Sequence, residues 1–93
     1  LLKAVQLSRD GAMTARLELA KLFYRRGIFE ESRIYLNDAL KMMEPPSAEA
    51  LWLGVRLVRR LGNRVAEGGF ASQLRSRYPS STEYQEFLKG NFE

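Results

Sequence analysis

The sequence has 93 residues, a formal net charge of +4, an apolar content of 45%, and no cysteine or histidine. A chain of this length forms at most one domain with a modest core. The missing residue types exclude disulfide bonds, cysteine nucleophiles, histidine general bases and the usual zinc ligands. We therefore predict no catalytic residue, no metal site and no cofactor.

Acidic and basic residues are interleaved along the chain, and no run of like charge exceeds two residues. This pattern is typical of solvated helix faces, so the positive net charge does not predict nucleic-acid binding. No apolar run approaches the roughly 18 residues that span a bilayer, and the first residues are too polar for a signal peptide. We expect a soluble segment.

Residues 1 to about 9 are predicted to be the end of a helix from a preceding repeat, closed by Asp10-Gly11. Because this pattern starts at once and without an initiator Met, we expect the segment to be the later part of a longer protein. Its apolar residues should then pack on a missing neighbour, and the isolated segment should self-associate through them. These residues are Leu1, Leu2, Val5 and Leu7.

An apolar stripe at helical spacing predicts the next helix over residues 12–26. Gly27 is expected to end this helix, because glycine adopts the left-handed conformation without steric cost. A partner helix follows over residues 29–43, and Pro45-Pro46 prevents its continuation.

The third predicted helix begins at the possible cap Ser47 and ends before Gly62-Asn63, and the fourth covers residues 64–78. Gly68-Gly69 lies inside the fourth helix, where each glycine costs about 1 kcal/mol relative to alanine. A close helix contact or a kink is the expected compensation.

A capping-box pattern, Ser80-x-x-Glu83, predicts a short last helix that Gly90 ends. Helical arrays need an element that covers the apolar face of their last repeat. We therefore predict that residues 80–93 form a capping helix.

The elements recur at a spacing of 34 residues, the period of the tetratricopeptide repeat. The matching positions are Ala20 with Gly54, Phe23 with Leu57, Ser32 with Ala66, Leu36 with Phe70, Leu40 with Leu74, and Pro45 with Pro79. The predicted fold is all-α, a right-handed tetratricopeptide-repeat solenoid of antiparallel helix pairs. Its full repeats are residues 12–45 and 46–79, and the small residues at 20 and 54 should let paired helices approach closely.

Repeats of this type bind other proteins on a concave surface, which the first helix of each pair lines. The inward positions combine apolar and aromatic area with a basic edge, which suits an apolar partner segment that carries carboxylates. The candidate partner-binding residues are Lys21, Tyr24, Arg25, Trp52, Val55 and Arg59.

Four of these candidates have an alternative role in the fold. Trp52, the only tryptophan, is either an exposed binding anchor or a packed ring, and Val55 either lines the groove or packs between repeats. Arg25 and Arg59 recur at the repeat spacing. A cation in the last turn of a helix also interacts with the helix dipole by roughly 0.3–1 kcal/mol, so either role is open to them.

Four stretches of the chain carry a resemblance to a known family: Ala50-Leu51-Trp52-Leu53-Gly54-Val55-Arg56 and residues 61–64, 72–81 and 83–93. They resemble the C-terminal end of the type IV pilus biogenesis lipoproteins called PilF or PilW. The likeness covers most of residues 12–93 and is densest from Ala50 onward. The resemblance implies a protein of further such repeats at the periplasmic face of the outer membrane of a Gram-negative bacterium. Its membrane attachment would be a lipid anchor outside this segment.

The same resemblance implies the role of a pilotin, which helps the secretin subunit reach the outer membrane and assemble there. The function predicted is therefore a non-catalytic protein-binding scaffold, with the secretin subunit as its protein partner. Two alternatives stay open. One is a generic tetratricopeptide module in another secretion or cell-envelope assembly, and the other is an enzyme whose catalytic domain lies upstream.

Overall fold

The computed structural model describes the backbone of residues 2–92 and the side chains of residues 11–92. Within that part of the chain there are helices and no strands, as the all-α prediction requires. The helices are α1 (Leu2–Arg25), α2 (Phe29–Lys41), α3 (Ala48–Arg60), α4 (Arg64–Arg77) and α5 (Thr82–Lys89).

α1 continues through Asp10 and Gly11, so the predicted helix end at these residues is wrong. Glycine lowers helix stability by about 1 kcal/mol but does not stop a helix when its neighbours favour one, as Ala12 and Met13 do. Gly11 also lacks the positive φ of a helix-ending glycine. The predicted apolar end formed by Leu1, Leu2, Val5 and Leu7 lies outside the described side chains.

The chain divides into two compact units, which are residues 1–44 and 45–93. Unit 1 contains α1 and α2, and unit 2 contains α3, α4 and α5. A turn of a few residues joins α1 to α2 and another joins α3 to α4, so each of these pairs is antiparallel.

The two interhelical turns have the same hydrogen bonds. Gly27 and Gly62 both have left-handed φ angles, of 78° and 76°. In each turn the next amide donates to a carbonyl five residues back, from Ile28 to Phe23 and from Asn63 to Val58, at 2.9 Å. These turns are 35 residues apart, one more than the predicted period, so α4 begins one residue later in its repeat than α2.

In unit 1 the paired helices approach closely at the small residues Ala20 and Ser32, as the sequence predicts. Ala20 and Ser32 are fully buried, and Ser32 Oγ donates to the carbonyl oxygen of Ala20 at 2.7 Å. Leu36 and Ala39 are buried beside them. Ala66, the predicted counterpart of Ser32 in unit 2, is only half-buried, as the one-residue shift of α4 explains.

Unit 2 is built around α3, in which every residue from Ala50 to Val58 except Arg56 is buried. A helix that is apolar nearly all round is covered on several sides, and α3 packs against both α4 and α5. Gly54 lies against Phe70 of α4: a Cβ at this glycine would be 2.9 Å from a ring carbon. The Tyr78 hydroxyl donates to the carbonyl of Pro46, which ties the end of α4 to the segment before α3.

The start of α5 differs from its prediction by one residue. Ser81, not Ser80, is the N-cap, and its Oγ accepts from the amide of Tyr84 at 3.1 Å. The same hydroxyl donates to the carbonyl of Tyr78 at 2.8 Å, which fixes the turn between α4 and α5. Gly90, with a φ of 77°, ends α5 as predicted.

Candidate functional site

The six predicted partner-binding residues divide between the two units. Lys21, Tyr24 and Arg25 lie in the last turns of α1, and Trp52, Val55 and Arg59 lie on α3.

The unit 1 set combines two cations with one aromatic ring. Lys21 Nζ lies 3.1 Å from Glu18 Oε1, and 26% of the Lys21 side chain is exposed. The half-buried ring of Tyr24 meets Phe29 edge to face, with 5.6 Å between ring centroids. Arg25 is exposed in the last turn of α1, where it also interacts favourably with the helix dipole. This part of unit 1 offers a half-buried aromatic ring beside two cationic side chains.

On α3 the packed alternative applies to both apolar candidates. Val55 is fully buried and Trp52 is 8% exposed. Both belong to a core cluster with Leu51 and Leu74. The expectation that Trp52 is an exposed anchor is therefore wrong for this structure, and a partner has no open access to Val55.

Aromatic residues of the C-terminal segment cover Trp52. Its ring centroid lies 6.4 Å from that of Phe87 and 5.8 Å from that of Phe92. The Arg56 guanidinium carbon lies 5.3 Å from the Trp52 centroid. Edge-to-face and tilted rings at these distances attract one another beyond the area they bury.

The sequence predicted a capping helix in residues 80–93 but not that its aromatic rings lie on Trp52, although the chain carries a signal for this contact. Tyr84 and Phe87 are three residues apart and therefore share one face of α5, and their rings stack at 5.9 Å. Phe92 follows the left-handed Gly90, which turns the chain back toward α3.

Arg59 is the accessible candidate on α3, with 51% of its side chain exposed. Its Nη1 donates to Glu67 Oε2 at 3.0 Å. Its guanidinium carbon lies 4.0 Å from the centroid of the Phe92 ring, a cation–π distance. A polar depression is lined by Arg59, Gly62, Arg64 and Glu67. The guanidinium is thus held in one orientation while several of its N–H groups stay available.

Among residues 11–92, no group of three or more acidic side chains is placed to hold a metal ion. Within the described helices, none combines the length and apolar character that crossing a bilayer requires.

No family model matches the sequence. The chain is 34% identical over 85 residues to the type IV pilus assembly protein PilF of Pseudomonas aeruginosa. This alignment covers 91% of the chain and 33% of that protein. A solved structure of Pseudomonas aeruginosa PilF superimposes with a TM-score of 0.74 at 32% identity, over 84% of this chain and 35% of the other. The chain is a homologue of part of PilF.

The resemblance to the PilF or PilW family that the sequence predicted is thereby confirmed. The tetratricopeptide type of the helix pairs is confirmed with it, because PilF is a tetratricopeptide-repeat protein. The chain spans about a third of the length of the PilF chains it matches, 33% of one and 35% of the other.

Proposed function

We propose that this chain is part of a non-catalytic, protein-binding scaffold of type IV pilus biogenesis in the bacterial cell envelope. The observation that carries the proposal is the match to PilF, named as a type IV pilus assembly protein, along 91% of the chain. Stacked helix pairs act by offering extended surfaces to other proteins, which supports a binding role.

The finer proposal is a pilotin-like role, in which the partner is the secretin subunit. The scaffold would assist the localisation and assembly of the secretin at the outer membrane. It would be attached to the periplasmic face by a lipid anchor outside this segment. Support for this role comes from the family resemblance of residues 50–93.

For partner binding we propose the accessible members of the predicted set, each within its own unit: Lys21, Tyr24 and Arg25 in unit 1, and Arg59 in unit 2. Their cations suit carboxylates of a partner segment, and Tyr24 offers it aromatic area. Trp52 and Val55 act indirectly in this proposal. They form the core on which Phe92 packs, and Phe92 supports the guanidinium of Arg59.

The test is a titration of purified secretin subunit into the full-length protein and into residues 1–93, followed by isothermal calorimetry. We expect saturable binding that Arg59→Glu weakens by about tenfold, which corresponds to about 1.4 kcal/mol. The matched control is Arg33→Glu. Arg33 is also an exposed arginine with a single ion pair, to Glu30 at 2.9 Å, but it lies on α2 outside the predicted surface.

Each outcome of this titration bears on a different part of the proposal. Equal loss in Arg59→Glu and Arg33→Glu would mean a general effect of net charge and would reject the proposed surface. Binding by the full-length protein alone would place the secretin contact outside this segment. If the full-length protein does not bind the secretin subunit, the pilotin role is rejected. Normal pili in a deletion strain would then favour a module of another envelope assembly.

A further inference from the structure

An open groove lies between α4 and α5, on residues that the proposed function does not use. It is lined by Gly68, Ala71, Ser72 and Arg75 of α4 and by Tyr84 and Phe87 of α5. We call it the α4–α5 groove.

The wall of the α4–α5 groove is aromatic and its floor is made of small residues. Tyr84 and Phe87 stack with their planes 18° apart and are half-buried. Gly68, Ala71 and Ser72 are spaced by three and four residues, so they share one face of α4. Small side chains on a helix face permit another helix to approach to the short end of the usual 8–10 Å range.

Each of the two helices that form the groove also carries an exposed large apolar side chain about one turn from a lining residue. Val65, three residues before Gly68, is 89% exposed, and Leu88, one turn after Tyr84, is 60% exposed. These are two of the four large apolar side chains that are most exposed between residues 11 and 92. By helical spacing, each lies on the same face of its helix as a residue that lines the groove.

Gly68 and Gly69 carry a stability cost that no contact within unit 2 offsets. Each lowers helix stability by about 1 kcal/mol relative to alanine. Gly54 needs its missing Cβ because Phe70 lies against it, whereas a Cβ on Gly68 or Gly69 would meet nothing within 4 Å. The close helix contact predicted from the sequence is therefore absent among the described residues. At Gly68 the open space is the α4–α5 groove itself.

Arg75 is the charged side chain among the residues that line the groove. Arg75 is exposed, and within residues 11–92 its side chain makes no ion pair or hydrogen bond. α4 also carries Arg64 and Arg77, while its single acidic residue, Glu67, is bonded to Arg59. A second copy of this chain that placed its own α4 here would bring like charges together. A helix with acidic residues on its flanks complements the groove instead.

We propose that the α4–α5 groove docks an acidic amphipathic helix of a partner protein. The apolar face of that helix packs on Gly68, Ala71 and the aromatic wall, as in helix-in-groove recognition, and one of its carboxylates pairs with Arg75. This contact is separate from the secretin surface proposed above, because it shares no residue with it.

The test uses a fluorescein-labelled synthetic peptide of about 18 residues, or five helical turns. Its apolar face consists of Ala and Leu, with Glu on both flanks, and a second peptide has Lys in place of every Glu. Fluorescence anisotropy measures binding to residues 1–93. The paired variants are Gly68→Leu and Gly69→Leu. Both replace a glycine at an open position of α4, but only Gly68 lines the groove.

We expect the Glu peptide to bind saturably and Gly68→Leu to weaken it by about tenfold, while Gly69→Leu leaves it unchanged. Arg75→Glu should reverse the preference, so that the Lys peptide binds better than the Glu peptide. Amide shifts in nuclear magnetic resonance spectra should change at Gly68, Ala71 and Ser72 on binding. Circular dichroism of each variant verifies that it is folded.

Several results would overturn the proposal. Equal effects of the two leucine variants, equal binding of the two peptides, or no binding of the Glu peptide would each do so. A dimer in analytical ultracentrifugation that Gly68→Leu dissociates would show that a second copy occupies the groove. None of these results affects the secretin titration, so the two proposals fail separately.

Discussion

At the scale of single residues, glycines inside helices have opposite surroundings in this protein. Gly54 lies against the ring of Phe70, whereas Gly68 and Gly69 face open space. The matching positions in unit 1, Ala20 and Leu36, are also both buried. Gly54 leaves the space that the large ring of Phe70 fills, so the two residues are complementary in size.

A substitution at Gly54 tests this complementarity. Gly54→Ala places a methyl group 2.9 Å from Phe70, and overpacking of this kind costs about 1–3 kcal/mol. The higher helix propensity of alanine stabilises the folded state by about 1 kcal/mol at most. We therefore expect a lower free energy of unfolding, measured by urea denaturation with far-ultraviolet circular dichroism. The control Gly69→Ala meets no neighbour and should raise that free energy. A higher free energy of unfolding in both variants would show that the Phe70 ring moves aside without destabilising the protein.

At the scale of elements, the C-terminal segment decides which part of α3 is accessible. α5 packs on α3 and α4, and Phe92 closes over Trp52 from beyond the end of α5. The Phe92 ring also contacts Arg59, whose guanidinium carbon lies 4.0 Å from the ring centroid. The tail therefore links the core of unit 2 to its exposed cation.

Removal of the Phe92 ring should uncover Trp52. In Phe92→Ala we expect Trp52 emission at longer wavelength and stronger quenching by acrylamide, because one of its two covering rings is gone. The loss of stability should be about 1–3 kcal/mol, below the roughly 3–5 kcal/mol of a fully buried phenylalanine, since Phe92 is half-buried.

Leu88→Ala is the control, because Leu88 lies on α5 with 60% of its surface exposed. It should leave the Trp52 emission unchanged. If both variants shift the emission equally, or neither does, Phe92 is not what shields the indole.

Helix ends were the most predictable feature of these elements, because they depend on local chemistry. Gly27, Gly62 and Gly90 end or follow their helices in left-handed conformations, and Ser47 caps α3 through the amide of Ala50. Glycine at position 11 resembles the other three in sequence, yet α1 passes through it. A glycine is a strong stop signal only where the following residues also leave the helix.

The burial of individual side chains was less predictable, since it depends on contacts between distant segments. Ala20 and its counterpart Gly54 are both buried, as the period of 34 predicts, but the second interhelical turn comes one residue late, and α4 is displaced in its repeat. The sequence around Trp52 is compatible with either a groove anchor or a core residue. Only the path of the chain after Gly90 decides that it is covered.

At the scale of the whole molecule, the two units differ in the apolar core that their described side chains form. The cluster of Leu51, Trp52, Val55 and Leu74, with the aromatic residues that pack against it, lies entirely within residues 45–93. Among residues 11–44 of unit 1, the fully buried set is smaller in volume and includes Ala20, Ala39 and the polar Ser32. Since burial of apolar area is the main favourable term in folding, unit 2 has the stronger basis for independent stability.

We accordingly expect residues 45–93, prepared as a separate fragment, to remain helical and to unfold cooperatively on heating, with the emission of Trp52 still that of a buried indole. Residues 1–44 alone should lose most of their helix signal in circular dichroism, because isolated helices are marginal in water without a core to pack on. The opposite ranking of the two fragments, or an exposed Trp52 in residues 45–93, would contradict this expectation. If residues 45–93 do fold alone, Arg59 and the α4–α5 groove both belong to a part of the chain that folds by itself. Binding to each can then be measured on the smaller fragment, free of any contribution from α1 and α2.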